Sequence, residues 1–243
     1  MSQIHPFWRA QLFLFDKPAA RTLTSQQGYW LLLIFLFMEA IIRPSLGVGS
    51  HWLAIQKLSW WPLAQVFLLT AIVFGLVISF AKVSLPNLGL YRWSRWSKTE
   101  KFYFFQTIPL AIAIFSVVRA TSLKALWASQ NLFAAGVFGF IPEMTWGFYQ
   151  EFLYRGILQN VLTQRFGTFR GILIGNLIFT FGPLHAYHFL SANGNPSHLW
   201  IFAAIFAIGL LFAILYHRSG NLWIIGIMHG LGDWFIQGLT KVY

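Results

Sequence analysis

Gln150-Glu151-Phe152-Leu153-Tyr154-Arg155 places an amide, a carboxylate and a guanidinium inside one of the most apolar parts of the chain. An ionised side chain at the centre of a membrane-spanning helix costs about 2.5–3.5 kcal/mol on insertion scales. Residues that bear this cost usually face the protein interior, find partners and mark a functional site. On a helix Glu151 and Arg155, four apart, share a face and can pair, while Gln150 points about 100° away from Glu151. Two further apolar runs carry comparable groups. Phe181-Gly182-Pro183-Leu184 leads into His185, with His188 one turn on, and Pro183 predicts a helix bend that frees backbone carbonyls near His185. His229 and Asp233 are four apart on the last apolar run; the carboxylate can fix the imidazole tautomer and support its charged form. Gly230 and Gly232 beside them permit close approach of another helix.

Each group alone has a plain packing explanation: a buried ion pair, a hydrogen-bonded histidine, a helix–helix hydrogen bond. His188, near a loop, reads as structural. Together they are expected to converge around a polar cavity in the membrane. A converged set of this kind can position and deprotonate a water for attack on a carbonyl carbon, and stabilise the oxyanion with imidazole or amide donors. The alternative chemistry is a divalent metal such as zinc on His185, His229 and a carboxylate, here Glu151. The pattern H-E-x-x-H is missing, so metal is not specifically signalled. A haem between His185 and His229, or a transporter, are the remaining alternatives.

The elements that must position these residues follow from composition. The chain has 243 residues, 57% hydrophobic and only 9% charged, which is the profile of an all-α polytopic membrane protein. Runs long enough to cross a bilayer are Gly28–Ile42, Pro62–Ala81, Lys101–Val118, Leu123–Ile141, Met144–Leu162, Gly171–Leu190, His198–His217 and Asn221–Leu239. The first is short and the fourth contains Ser129-Gln130-Asn131, so seven or eight transmembrane helices are expected in one domain, residues 1–243. The alternation of a membrane β-barrel is missing. The net charge of +11 sits mostly between the apolar runs. There it suits anionic lipid surfaces; without a basic domain outside the spans, nucleic acid is not an expected partner.

Tryptophans near the run ends (Trp52, Trp60, Trp61, Trp93, Trp96, Trp200 and Trp223) predict interfacial belts. Lys82 to Glu100, the longest polar connection, is the expected cytoplasmic loop. The N-terminal residues, with Arg9, Asp16, Lys17 and Arg21, show no cleavable signal, so the first span would act as its own insertion signal. Arg218-Ser219-Gly220-Asn221 predicts a tight turn capping the last helix. With no cysteine, disulfides and thiolate chemistry are excluded.

The three motifs resemble the CPBP family, also called the CAAX-protease or Abi family of intramembrane endopeptidases. Its pattern is E-E-x-x-x-R, then F-x-x-x-H, then H-x-x-x-N/D. Here these are Gln150 to Arg155, Phe181 to His185 and His229 to Asp233. Tyr154-Arg155-Gly156-Ile157-Leu158-Gln159 and Gly220-Asn221-Leu222-Trp223 add family-like context, and the resemblance covers a core from Glu143 to Leu239. It implies a helical fold with an intramembrane cavity. The implied activity is cleavage of a membrane-embedded or lipidated peptide by activated water. Glu151 and His185 would be catalytic, with His229 and Asp233 as the oxyanion site; older descriptions of the family invoke a metal. Implied partners are membrane lipids and a peptide or lipidated protein, in a bacterial-type inner membrane or an organelle membrane.

One position departs from the pattern. Gln150 stands where the family has the glutamate usually assigned to water activation, and an amide holds water without acting as a base. Glu151 could take that role if Arg155 lies to one side. Glu143, two turns earlier on the face of Gln150, would need a helix distortion or a bound substrate to reach in. Alternatively the chain is a catalytically impaired member that uses its cavity as a membrane binding or assembly factor.

Overall fold

A computed structural model describes residues 23–128, 131–185 and 197–240. The sequence readings on Arg9, Asp16, Lys17, Arg21, Ser129, Gln130, His188 and the 191–196 loop lie outside these residues. Among the described residues every regular element is helical. Among these residues four helices are long and apolar enough to span a membrane and two shorter ones are apolar as well. The protein is an all-α polytopic membrane protein.

Helix α1 (Ser25–Trp52) starts at Thr24, whose hydroxyl accepts from Gln27 N while the Gln27 side chain accepts from Thr24 N. It runs ten residues past the expected end at Ile42. Two local features carry it through Arg43-Pro44: Arg43 is paired with Glu39, and Met38–Ile42 forms a π-helical turn directly before them. A wider turn redistributes the carbonyls that the missing N–H of Pro44 would leave unpaired. Helix α2 (Trp61–Ala81) and helix α3 (Lys98–Val118) follow. The most apolar stretch of α3 contains no buried residue, so this helix lies outermost.

The same device shapes the centre of the molecule. The expected fourth and fifth spans are not separate. A short helix, α4 (Ala120–Ala128), precedes one continuous helix, α5, over residues 132–166. At 1.5 Å per residue α5 is roughly 50 Å long. It passes Pro142 just after another π-helical turn, Ala135–Phe140, and is π-helical again over Phe152–Gln159. Residues 149–159 are all buried, which makes α5 the axis of the bundle. Around it pack α1, α2, α6 (Thr168–Phe181), α7 (Ser197–Ser219) and α8 (Leu222–Ile236).

α8 lies closest to α5. A Cβ on Gly147 would collide with the Gly230 backbone, and one on Gly230 would come within 2.7 Å of Met144 Cα. This approach brings Glu151 and His229 together. Asn221 caps α8 by accepting from Trp223 N. Its amide donates to Glu100 Oε1 at 3.1 Å, and the Tyr91 hydroxyl donates to the same carboxylate. The polar connection from Lys82 to Glu100 is thereby tied to the start of α8. Trp52 and Trp200 are exposed as belt residues should be, whereas Trp96 is buried beside Tyr91.

Candidate active site

The carboxylate of Glu151 is divided between two helices. Its Oε1 accepts from His229 Nδ1 at 2.7 Å, and its Oε2 accepts from Arg155 Nε at 3.3 Å. Both members of the Glu151–Arg155 pair are 0% exposed. Arg155 does not lie to one side: it stays on Glu151, and its Nη2 donates to the Gly209 carbonyl of α7 at 3.0 Å. Its guanidinium also lies 4.6 Å from the centre of the Phe179 ring, within cation–π range.

His229 has a carboxylate at each ring nitrogen, since its Nε2 is 3.6 Å from Asp233 Oδ2. A carboxylate only accepts, so Nδ1 carries a proton toward Glu151. At 3.6 Å, Nε2 and Asp233 Oδ2 face each other beyond direct hydrogen-bond distance. His229 and Asp233 retain 13% and 15% side-chain exposure, so the cluster opens on this side and is sealed at Glu151.

His185 stands outside the helix that was expected to carry it. Pro183 does not bend α6. The helix ends at Phe181, Gly182 is extended, and His185 closes a turn by donating its N–H to the Gly182 carbonyl at 3.1 Å. The imidazole folds back to the helix end, with Nδ1 2.6 Å from the Phe179 carbonyl. A carbonyl only accepts, so this contact puts a proton on Nδ1. The ring also lies edge-on to Phe179 at 4.9 Å, and Phe179 in turn lies 6.1 Å from His229. Both histidines thus lean on one phenylalanine.

The supporting residues separate. Gln150 is buried and its Oε1 has no hydrogen-bond partner among the described residues. Glu143 is buried beside the chain following α8, where a Cβ on Gly238 would come within 3.0 Å of its Cγ. Phe181, by contrast, is 47% exposed and stacks on Phe202. The aromatic at the cluster is Phe179, which no motif singled out.

Also missed was the pair Glu39–Arg43 on α1. Glu39 takes two bonds from Arg43, at 3.1 and 2.9 Å, and a third from the Tyr154 hydroxyl at 2.9 Å. The Tyr154 ring packs on Phe179. The Glu-x-x-x-Arg spacing of residues 39–43 was the available signal. Among the described residues no three histidine or acidic side chains are grouped closely enough to hold a metal ion, and both nitrogens of His229 are directed at carboxylates. The arrangement does not fit a metal on Glu151, His185 and His229.

A family model described as type II CAAX prenyl endopeptidase Rce1-like matches residues 133–235. The matched span runs from α5 to α8 and holds every residue of the cluster except Glu39 and Arg43. No curated protein and no solved structure matches the chain. The motif pattern and the matched span identify residues 133–235 as an Rce1-like domain of the type II CAAX prenyl endopeptidase family.

Proposed function

We propose that the chain is an intramembrane endopeptidase that hydrolyses a peptide bond in a membrane-embedded or prenylated peptide. The observation that carries this reading is His229, bonded to Glu151 at one nitrogen and facing Asp233 at the other. In this mechanism His185 Nε2, with its lone pair, takes a proton from water as that water attacks the scissile carbonyl. Gln150 orients the water through its amide. His229, oriented by Glu151, donates from Nε2 to the developing oxyanion and then passes that proton to the leaving amine. Glu151 works through His229, because both of its oxygens are engaged: it fixes the ring, and Arg155 holds Glu151.

A second reading has one observation in its favour. Gln150 puts a buried amide where the related pattern has a base, which suits a chain that binds a lipidated partner without cutting it. Substituting Gln150→Glu and His185→Ala separates the two, with a farnesylated peptide in proteoliposomes as substrate. On the hydrolase reading the wild type cleaves, His185→Ala loses cleavage by ~10²-fold or more, and Gln150→Glu changes the rate without creating it. Cleavage that appears only in Gln150→Glu would establish the impaired reading instead.

A further inference from the structure

Behind the Glu151–His229 pair, α5 meets α6 and α7 in a seam of polar side chains, of which the mechanism uses only Arg155. Three of them each spend one polar atom on a carbonyl of α7. Arg155 Nη2 donates to Gly209 O at 3.0 Å, Gln159 Nε2 to Ala213 O at 2.8 Å, and Asn176 Nδ2 to Phe206 O at 2.9 Å. Carbonyl oxygens only accept, so the two amides must present nitrogen to α7 and turn oxygen away. The atoms turned away are Arg155 Nη1, Gln159 Oε1 and Asn176 Oδ1, and none has a hydrogen-bond partner among the described residues. Thr180 Oγ1 has none either. All four residues are at least 99% buried.

These groups lie where α5, α6 and α7 pack together. Asn176 and Thr180 are four apart on α6, Arg155 and Gln159 four apart on α5, and Gln159 packs against Gly175. Gly209 marks the meeting point: a Cβ there would lie 2.5 Å from Asn176 Oδ1 and 3.2 Å from Arg155 Nη2. Folded proteins rarely leave one such atom unpaired, and here four share one seam. The set offers one cationic N–H, one hydroxyl and two amide oxygens. The amide oxygens disfavour an anion and the guanidinium disfavours a cation. A small neutral molecule that both donates and accepts satisfies them all.

We propose that this seam is a water-binding site that retains water at membrane depth and supplies it to the reaction. Arg155 joins the two regions, with Nε on Glu151 and Nη1 in the seam. The binding site stands on the seam alone; its role in supply rests on the hydrolase reading above.

X-ray radiolytic hydroxyl labelling of the full-length protein in nanodiscs tests it, because water held against a buried aromatic ring oxidises that ring. Phe179 lines the seam beside Gly209 and Arg155, whereas Phe152, also buried, packs on Phe74. The expected result is labelling of Phe179 several-fold faster than Phe152, lost in Thr180→Val and restored in Thr180→Ser. Thr180→Val is near-isosteric, so the direction of its Tm shift is a second readout. Tm falls if the hydroxyl binds water, and holds or rises if the hydroxyl binds nothing. Equal labelling of the two rings, or a raised Tm with labelling unchanged, overturns the site. For supply, Thr180→Val should lower kcat several-fold at unchanged KM, and lost labelling with kcat intact overturns that role. Labelling without any cleavage by the wild type sinks the hydrolase reading and the supply role, and leaves the water site standing.

Discussion

The chain contains the spacing Glu-x-x-x-Arg twice with a buried glutamate, at Glu39–Arg43 and at Glu151–Arg155, and the two pairs are built differently. Glu39 lies in the π-helical turn of α1, and Arg155 lies in a π-helical stretch of α5. The first pair is closed. Arg43 binds both Glu39 oxygens, at 3.1 and 2.9 Å, and keeps 18% side-chain exposure. The second is open. Glu151 gives one oxygen to Arg155 at 3.3 Å and the other to His229, while Arg155 reaches on to α7. A closed pair satisfies itself and anchors a helix. An open pair leaves each charge dependent on neighbours, so that its helix partners are held in register around it. The two meet at Tyr154, which donates to Glu39 and packs on Phe179.

The largest expected difference comes from removing each carboxylate. Glu151→Ala strands Arg155 at zero exposure and frees His229, and breaking a buried pair in this way costs about 3–5 kcal/mol. Thermal denaturation in detergent should show a large loss of Tm or no folded protein. Glu39→Gln keeps an acceptor for Tyr154 and leaves Arg43 near solvent. Its loss should be about 1–3 kcal/mol, with a folded protein and cleavage within several-fold of wild type. If Glu39→Gln proves as damaging as Glu151→Ala, the distinction between closed and open pairs fails.

Smaller effects sharpen the contrast. Arg155→Lys cannot hold Glu151 and Gly209 at once, so kcat should fall by ~10-fold or more, whereas Arg43→Lys should leave kcat within about two-fold. Tyr154→Phe removes one hydrogen bond, worth about 1 kcal/mol. It should lower Tm slightly and leave KM unchanged, as steady-state kinetics on the same peptide would show.

The membrane class and the cluster were legible in the sequence for one reason. Acids are rare here, and an acid in an apolar run must have a partner. That logic singled out Glu151, His229 and Asp233 before any coordinates, and helical spacing put His229 and Asp233 on one face. What was not legible depends on tertiary partners. Pro44 and Pro142 look like helix ends, yet π-helical turns carry α1 and α5 past them. Pro183 looks like a bend, but the extended Gly182 before it stops α6 outright. Phe179 differs from Phe181 only by facing inward. The Asn176 and Gln159 amides take meaning from α7 carbonyls that no local pattern encodes.

The Glu151–His229 bond is the centre of the proposed hydrolytic site. The most direct measurement is cleavage of a farnesylated peptide by proteoliposomes holding wild type or Glu151→Gln, with folded protein in both confirmed by thermal denaturation. If Glu151 orients a catalytic His229, the wild type cleaves and Glu151→Gln loses ~10²-fold or more. Equal rates from the two proteins would contradict that role.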